Sequence, residues 1–252
     1  MQNKILEVNN LESGYEKIKV LKGVSFYLNN KEKIGFFGPN GHGKTTLLNT
    51  ISGLIPSWSG EILFNGENIS NNSTSDIVER GITQVPQGNM LFPRMTVLDA
   101  LKLGAYSKRA SKNITESLEL VFKIFPWLLE RKNQICMTLS GGQRQMLTIA
   151  IGLMSRAKLL MLDEPTLGLS PKIKSKLKEN INDIAKMGIP FILVEQDIEF
   201  LMEFTDRMYL FEEGRIMAEV DKYNLLDRKS ILDIYFSDSD LNFKKEEKEQ
   251  RG

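Results

Sequence analysis

The segment GPNGHGKTT, at positions 38–46, has the residue types and spacing of a phosphate-binding loop. Glycines let the backbone wrap closely around phosphates and point several N–H groups inward, and a helix that begins near Lys44 adds its positive end. Lys44 is placed to reach the β- and γ-phosphates, and the Thr45 hydroxyl to coordinate Mg²⁺. The predicted nucleotide-binding residues are Gly38, Pro39, Asn40, Gly41, His42, Gly43, Lys44, Thr45 and Thr46. His42 stands at a variable position, where we expect its backbone N–H to act rather than its ring.

An apolar run, KLLMLDEP at 158–165, ends in two acids. A buried strand would carry Asp163 to the carboxyl edge of a sheet, where nucleotides bind in open α/β folds. Asp163 is then placed to hold Mg²⁺, directly or through water, and Glu164 to polarise an attacking water. Alone, the pair would fit a strand-end turn with surface acids. Beside the phosphate loop, it predicts a catalytic centre that includes Lys44.

The elements that position these groups follow an alternating pattern. Strand-like runs are KIGFFG before the loop, then KLLMLDE, PFILVEQ and RMYLFEEG, with helical patterns between them. Such alternation predicts a mostly parallel sheet with crossover helices. Further strands are predicted at KILEVNN, at VSFYL and around the Asn65-Gly66 turn.

From about 94 to 156 the chain changes to helical apolar spacing, starting with a cap at Thr96 and Asp99. The predicted organisation is one domain over 1–236 with a helical insert at about 89–156. Residues 237–252 have no apolar face and are predicted to be a charged, disordered tail.

Composition limits the possible functions. The net charge of +1 argues against binding nucleic acid by bulk charge. The single cysteine, Cys136, cannot form an internal disulfide, fits a reducing compartment and is expected to fill a buried space. The sequence shows no signal-peptide pattern, and its longest mostly apolar run, at 146–154, is too short to cross a bilayer. We therefore expect any membrane role to depend on a partner.

The string LSGGQRQ, at 139–145, decides the family. A serine and two glycines open a predicted helix, which makes a second anion-binding terminus before the acidic strand. Over nearly all of residues 3–236 the chain resembles ABC-type ATPase subunits. The resemblance implies an α/β P-loop NTPase with a RecA-like core, an antiparallel β subdomain and a helical insert, and it implies ATP and Mg²⁺ as cofactors.

The resemblance also implies roles for further residues. In that family two ATPase domains pack head to tail, and the signature of one serves the nucleotide bound by the other. The matching residues here are Ser140, Gly141, Gly142 and Gln143. Tyr15 matches the aromatic that stacks on adenine, although a half-buried tyrosine at a strand end is the alternative. Gln87 matches the loop glutamine that touches Mg²⁺ and senses the transport partner, and the insert would dock on membrane-subunit helices.

Within the family the chain is most similar to ATPases of branched-chain amino acid importers, through strings such as IVERGITQVPQG, DEPTLGLSP and ILVEQD. This implies a second ATPase subunit, two permease subunits, an indirect solute-binding protein and no nucleic acid. It places the chain at the cytoplasmic face of the inner membrane. Urea and amide importers have similar ATPases, so the solute stays open.

Two positions depart from the general ABC pattern. Ser170 stands where many relatives carry an aspartate, and Gln196 where most carry a histidine; both also occur in the branched-chain type. A carboxamide offers donors and an acceptor but no proton shuttle. Our hypothesis is that Gln196 is a working catalytic contact to the γ-phosphate; a solvated turn glutamine is the alternative.

Three other functions are alternatives for this sequence. An ATPase of a lipopolysaccharide exporter has a similar frame, but the GLSP and VEQD strings argue against it. A soluble ABC protein acting on ribosomes or DNA usually has two fused ATPase domains or a long coiled-coil insert. This sequence predicts one ATPase domain and has no heptad run long enough for such an insert. A scaffold without turnover does not fit the intact set of Lys44, Asp163 and Glu164.

Overall fold

The computed structural model describes residues 4–88 and 90–221. Its elements are, in chain order, β1 (Lys4–Tyr15), β2 (Ile18–Asn29), β3 (Lys33–Phe37), α1 (Lys44–Ile51), β4 (Ser57–Phe64), β5 (Glu67–Asn68), α2 (Thr74–Arg80), β6 (Ile82–Val85), α3 (Val97–Gly104), α4 (Lys108–Ser111), α5 (Ile114–Ile124), α6 (Pro126–Glu130), a 3₁₀ turn (Cys136–Thr138), α7 (Gly141–Met154), β7 (Leu159–Asp163), α8 (Pro171–Lys186), β8 (Phe191–Val194), α9 (Ile198–Phe204), β9 (Arg207–Glu212) and β10 (Arg215–Asp221). The proposed boundary at 236 and the tail at 237–252 lie outside the described residues.

The larger sheet has the strand order β10-β9-β3-β8-β7-β6. Its pairings are parallel except that of β10 with β9, as the alternation of strands and helices predicts. β7 and β8 are buried along their whole length, which explains their continuous apolar runs. Because β3, β8 and β7 are neighbours, the segments that follow their carboxyl ends meet at one edge of the sheet.

The smaller sheet is antiparallel, with the order β2-β1-β4-β5. Its first two strands are longer than the predicted KILEVNN and VSFYL runs, since a tight hairpin at Tyr15–Ile18 extends the ladder. Glu16 enables this turn with a φ of 53°. The Asn65-Gly66 turn joins β4 to β5, and both residues have positive φ as such a turn requires. This sheet and α1 enclose one apolar core.

Between β6 and β7 the chain is helical and packs a second apolar core, in which α7 runs along α3 and α5. Thr96 caps α3 by accepting a hydrogen bond from the Asp99 N–H, as its sequence predicts. Helices α2, α4 and α6 are short and are not among the helices that the sequence predicts. Cys136 is fully buried in this core, and burial raises the pKa of its thiol, so it behaves as an inert apolar filler.

None of the helices in the described part of the chain is both long enough and apolar enough to span a bilayer. Helix α7, which contains the longest mostly apolar run of the sequence, is 14 residues long. Nine of its residues are buried, because it runs through the helical segment. Its apolar run therefore serves the protein core.

Candidate functional site

The phosphate loop joins the end of β3 to the start of α1. Gly38, Gly41 and Gly43 have φ values of 145°, 78° and 106°, which glycine adopts readily. A Cβ on Gly38 would lie 2.0 Å from the Phe211 carbonyl oxygen, so a side chain does not fit there. The loop therefore lies tightly against β9, with the amino end of α1 directly after it.

Lys44 is held by its own loop. Its side chain is 4% exposed, and Nζ donates hydrogen bonds to the carbonyl oxygens of Gly38 at 2.7 Å and Pro39 at 2.9 Å. Burial lowers the pKa of this amine, while the charges of Glu164 and Asp163 act in the opposite direction. The ammonium group thus lies within electrostatic reach of both acids.

Asp163 ends β7 and is 1% exposed. Neither of its carboxylate oxygens has a hydrogen-bond partner among the described residues. Burial raises the pKa of Asp163 to about 6; the nearby Thr45 hydroxyl and Lys44 lower it, and Glu164 raises it. A buried carboxylate without donors is costly unless a cation satisfies it. This orphaned group fits the expected Mg²⁺.

The described residues contain no group of three or more histidine, cysteine or acidic residues that could hold a metal by itself. Mg²⁺ commonly binds one or two carboxylates together with substrate phosphates. Asp163, with the Thr45 hydroxyl beside it, therefore fits an ion that arrives with a nucleotide.

Glu164 follows directly, in a left-handed conformation with a φ of 44° that is strained for a residue with a side chain. Its N–H donates to the Val194 carbonyl oxygen at 2.9 Å. Its Oε2 accepts hydrogen bonds from Gln87 Nε2 at 3.0 Å and Gln196 Nε2 at 3.1 Å. Two carboxamides from different loops thus converge on one carboxylate oxygen.

A cavity of about 300 Å³ opens where these segments meet. Its lining residues are Asn40, Gly41, Gly43, Lys44, Thr45, Thr46, Gln87, Glu164, Leu167 and Gln196. All except Leu167 are predicted site residues. Leu167 is 54% exposed, and its position in the DEPTLGL string was the only sequence signal for it. The cavity unites a phosphate loop, an ammonium, a catalytic-type carboxylate and two carboxamides.

His42 lies in the loop but its ring has another contact. Its Nδ1 accepts a hydrogen bond from the Glu213 N–H at 3.1 Å, and its carbonyl oxygen accepts one from the Gly214 N–H at 2.9 Å. The residue therefore joins the phosphate loop to the turn between β9 and β10. Its backbone contact with phosphate stays a prediction.

Tyr15 is elsewhere, at the end of β1 opposite Ile18, with its side chain 46% exposed. This position leaves a face open to a ligand and also agrees with an ordinary tyrosine at a strand end. Stacking on adenine stays a prediction.

The signature residues begin α7, away from the cavity. Ser140 Oγ accepts from the Gln143 N–H at 3.3 Å, and Gln143 Oε1 accepts from the Ser140 N–H at 3.0 Å. This capping box stabilises the helix start and leaves Gly141 exposed. Gly142 lies so close to Ile173 of α8 that a Cβ would be 2.5 Å from Cγ2.

A family model described as ABC transporter matches residues 21–167, which is more than half of the chain. The chain belongs to the ABC transporter family. It is 36% identical over 231 residues to the high-affinity branched-chain amino acid transport ATP-binding protein BraG of Pseudomonas aeruginosa, covering 92% of this chain and 99% of that protein. It is also 36% identical over 218 residues to the spermidine/putrescine import ATP-binding protein PotA of Mycoplasma mycoides, covering 86% of this chain and 61% of PotA.

The fold is likewise that of an ABC transporter ATPase. A crystal structure of the ADP conformation of an ATP-binding cassette from an ABC transporter superposes with a TM-score of 0.77 at 28% identity, covering 92% of this chain and 98% of that one. The predicted α/β P-loop fold is confirmed, and so is the resemblance to branched-chain amino acid transport ATPases. As an ABC ATPase, the chain binds ATP and hydrolyses it in a reaction coupled to transport.

Proposed function

We propose that this ABC ATPase powers an importer of branched-chain amino acids, or of related amides or urea. The cavity in which Gln87 and Gln196 converge on Glu164 beside Lys44 carries the ATP-hydrolysing part of the proposal. The similarity to BraG over nearly the whole of both chains supports this solute class.

ATP enters with its phosphates against the loop N–H groups and Lys44. Mg²⁺, held by Asp163 and Thr45, would supply charge neutralisation between the phosphates. Glu164 accepts a hydrogen bond from the attacking water and aligns it with the γ-phosphate. Gln196 fixes the Glu164 carboxylate and lies within the same cavity lining, where its second N–H can contact the γ-phosphate.

Gln87 connects hydrolysis to a second cavity, of about 320 Å³, between the core and the helical segment. This groove is lined by Val85 and Pro86, directly before Gln87, and by residues of the helical segment, such as Tyr106 between α3 and α4 and Ile151 in α7. We propose that a helix of a permease subunit docks there. A docked helix that displaces Pro86 would also move Gln87 relative to Glu164. The rate of ATP hydrolysis would therefore depend on the permease subunit.

A second ATPase subunit completes the site. The exposed start of α7 presents the N–H groups of Gly141 and Gly142, which the capping box leaves open and which suit a phosphate bound by the opposite chain in a head-to-tail pair. With its permease partners at the membrane, the complex would hold this chain on the cytoplasmic face of the inner membrane.

The test is affinity capture of the tagged Glu164→Gln variant with Mg-ATP from membranes of the native organism. We expect two permease chains, a sibling ATPase and a solute-binding protein, identified by mass spectrometry. Tyr106→Arg in the groove should abolish capture of the permease chains, whereas Met217→Arg, at an exposed apolar residue on β10, should not. Recovery of ribosomal or envelope-assembly proteins without a permease would contradict the transport partners.

Polyamine import is the second candidate, favoured by the 36% identity to PotA. The two solute classes differ in charge, because polyamines are cations and branched-chain amino acids are zwitterions. Binding of radiolabelled leucine or putrescine by the co-captured solute-binding protein separates them.

A further inference from the structure

Three consecutive residues at the end of β8 hold the turn that contains Glu164. The Val194 carbonyl accepts from the Glu164 N–H at 2.9 Å. Glu195 Oε1 accepts from the Thr166 N–H at 2.7 Å, and Gln196 Nε2 donates to Glu164 Oε2 at 3.1 Å. Val194 and Gln196 both contact Glu164 itself, whereas Glu195 contacts the backbone two residues further on, at Thr166.

Glu195 is a buried acid outside the cavity lining. It is 2% exposed, and Thr166 is 3% exposed. Burial raises the pKa of Glu195 to about 7; the backbone and hydroxyl of Thr166 and the Gln196 N–H lower it, and the Glu164 charge raises it. A buried carboxyl group costs free energy unless a hydrogen-bond donor compensates it, and the Thr166 N–H is such a donor for Glu195.

The geometry of the turn explains what the contact does. Glu164 has a strained left-handed φ, and the next residue, Pro165, has no N–H to donate. The Thr166 N–H is therefore the first backbone donor after Glu164 that can tie the turn to the sheet. The loop from Leu167 onward starts there and contributes Leu167 to the cavity.

We propose that Glu195 is a positioning residue for ATP hydrolysis: it fixes Thr166 and thereby keeps the Glu164 carboxylate and Leu167 at the cavity wall. The inference rests on the proposed role of Glu164 as the group that aligns water. Without the Glu195 contact the turn can relax its left-handed residue, which withdraws the carboxylate from the nucleotide. Small displacements of this kind cost rate with little effect on nucleotide binding.

Two variants separate the effect of the length of the Glu195 side chain from the effect of its charge. Glu195→Gln keeps the length of the side chain and an oxygen that accepts from the Thr166 N–H, but removes the ionisable group. Glu195→Asp keeps the carboxylate but shortens the side chain by one methylene. Steady-state hydrolysis of saturating Mg-ATP by the full chain is measured for both, and ATP affinity is measured directly by titration.

We expect Glu195→Gln to stay within about threefold of the wild-type kcat, and Glu195→Asp to lose about 10–100-fold with ATP affinity unchanged. Glu32→Gln, in a buried ion pair with Arg207 away from the cavity, is the control: it should lower stability without lowering kcat per ATP-binding site. A fall in kcat for Glu195→Asp that merely follows the loss of folded protein, as in this control, would overturn the proposal.

Glu164→Gln is measured alongside to separate the two claims. If Glu164→Gln loses hydrolysis while Glu195→Asp keeps the wild-type kcat, the positioning role is wrong and the role of Glu164 stands. If Glu164→Gln hydrolyses ATP at the wild-type rate, the role of Glu164 fails, and the positioning role fails with it. A poorly active Glu195→Gln beside a fully active Glu195→Asp would show that charge, not reach, matters and would also overturn the proposal.

Discussion

Gln196 Nε2 donates a hydrogen bond to Glu164 Oε2 across 3.1 Å. The glutamine that replaces the more usual histidine thus contacts the acid proposed to align water. It also lines the cavity, so one carboxamide can orient the acid and face the substrate. The substitution preserves a donor at this place and removes a group that titrates near neutral pH.

Replacing Gln196 tests whether this donor matters. We expect Gln196→Ala to lower kcat about tenfold or more, because a hydrogen bond to a charged group contributes about 1.5–3 kcal/mol. Gln196→His should retain most of the activity, since the imidazole supplies an N–H donor. Gln196→Glu should be less active than Gln196→Ala, because it places a second carboxylate beside Glu164. Steady-state phosphate release measures all three, and a wild-type rate for Gln196→Ala would reduce Gln196 to a surface turn residue.

The contact between Gly142 and α8 gives a second prediction. A Cβ on Gly142 would lie 2.5 Å from Ile173 Cγ2, so in Gly142→Ala either the Ile173 side chain or the packing of α7 against α8 must shift. Overpacking of this kind costs about 1–3 kcal/mol. We expect Gly142→Ala to weaken ATP-dependent pairing of the ATPase subunits, as seen by size-exclusion chromatography in the Glu164→Gln background. Adding Ile173→Ala to Gly142→Ala should restore pairing, because it removes the methyl group that clashes. If pairing is not restored, the effect of Gly142→Ala does not come from its contact with Ile173.

The buried Glu195 predicts a pH dependence of stability. Its folded-state pKa is raised from 4.5 to about 7, so the folded protein holds this proton more tightly than the unfolded chain. The unfolded state binds fewer protons between these values, and the contribution to the free energy of unfolding therefore falls as pH rises through this window. Urea denaturation at pH 5 and pH 8 should show the wild type losing up to about 3 kcal/mol relative to Glu195→Gln. Parallel pH profiles would contradict the burial effect.

The ion pairs around Arg207 predict a stability effect that is separate from catalysis. Arg207 bonds Glu32 and Glu219 and lies over the Tyr27 ring, and the first of these pairs is largely buried. Arg207→Ala leaves Glu32 without its cation and should cost about 3–5 kcal/mol in the free energy of unfolding. Chemical denaturation measures the loss; kcat per ATP-binding site should not change. A lower kcat at full ATP occupancy would mean that this network also supports the active site.

Most of the site could be predicted because its chemistry is local in sequence. The loop glycines, Lys44, Asp163 and Glu164 lie in two short strings whose elements, β3 with α1 and β7, also follow from local patterns. Gln196 reaches Glu164 because β8 lies between β3 and β7 in the sheet. That strand order does not follow from either of the two strings.

What could not be predicted depends on contacts distant in sequence or on weak local signals. In the sequence Glu195 is one more acid at a strand end, and only its burial and its hydrogen bond from the Thr166 N–H distinguish it. Helix α2 is marked by Ser73, Asp76 and Gly81, but it is only seven residues long and buries one side chain. The long hairpin between β1 and β2 includes polar residues such as Glu12 and Ser13, which pair with β2 on one side and with β4 on the other.

The role of Glu164 is tested by measuring ATP hydrolysis by the full chain and its Glu164→Gln variant, with ATP binding measured in parallel. The carboxamide can still accept hydrogen bonds from Gln87 and Gln196, so the site keeps its geometry and loses only the carboxylate. We predict unchanged ATP affinity and a kcat at least about 100-fold lower, the scale of a lost general base. Hydrolysis by Glu164→Gln at the wild-type rate would show that this carboxylate does not drive turnover.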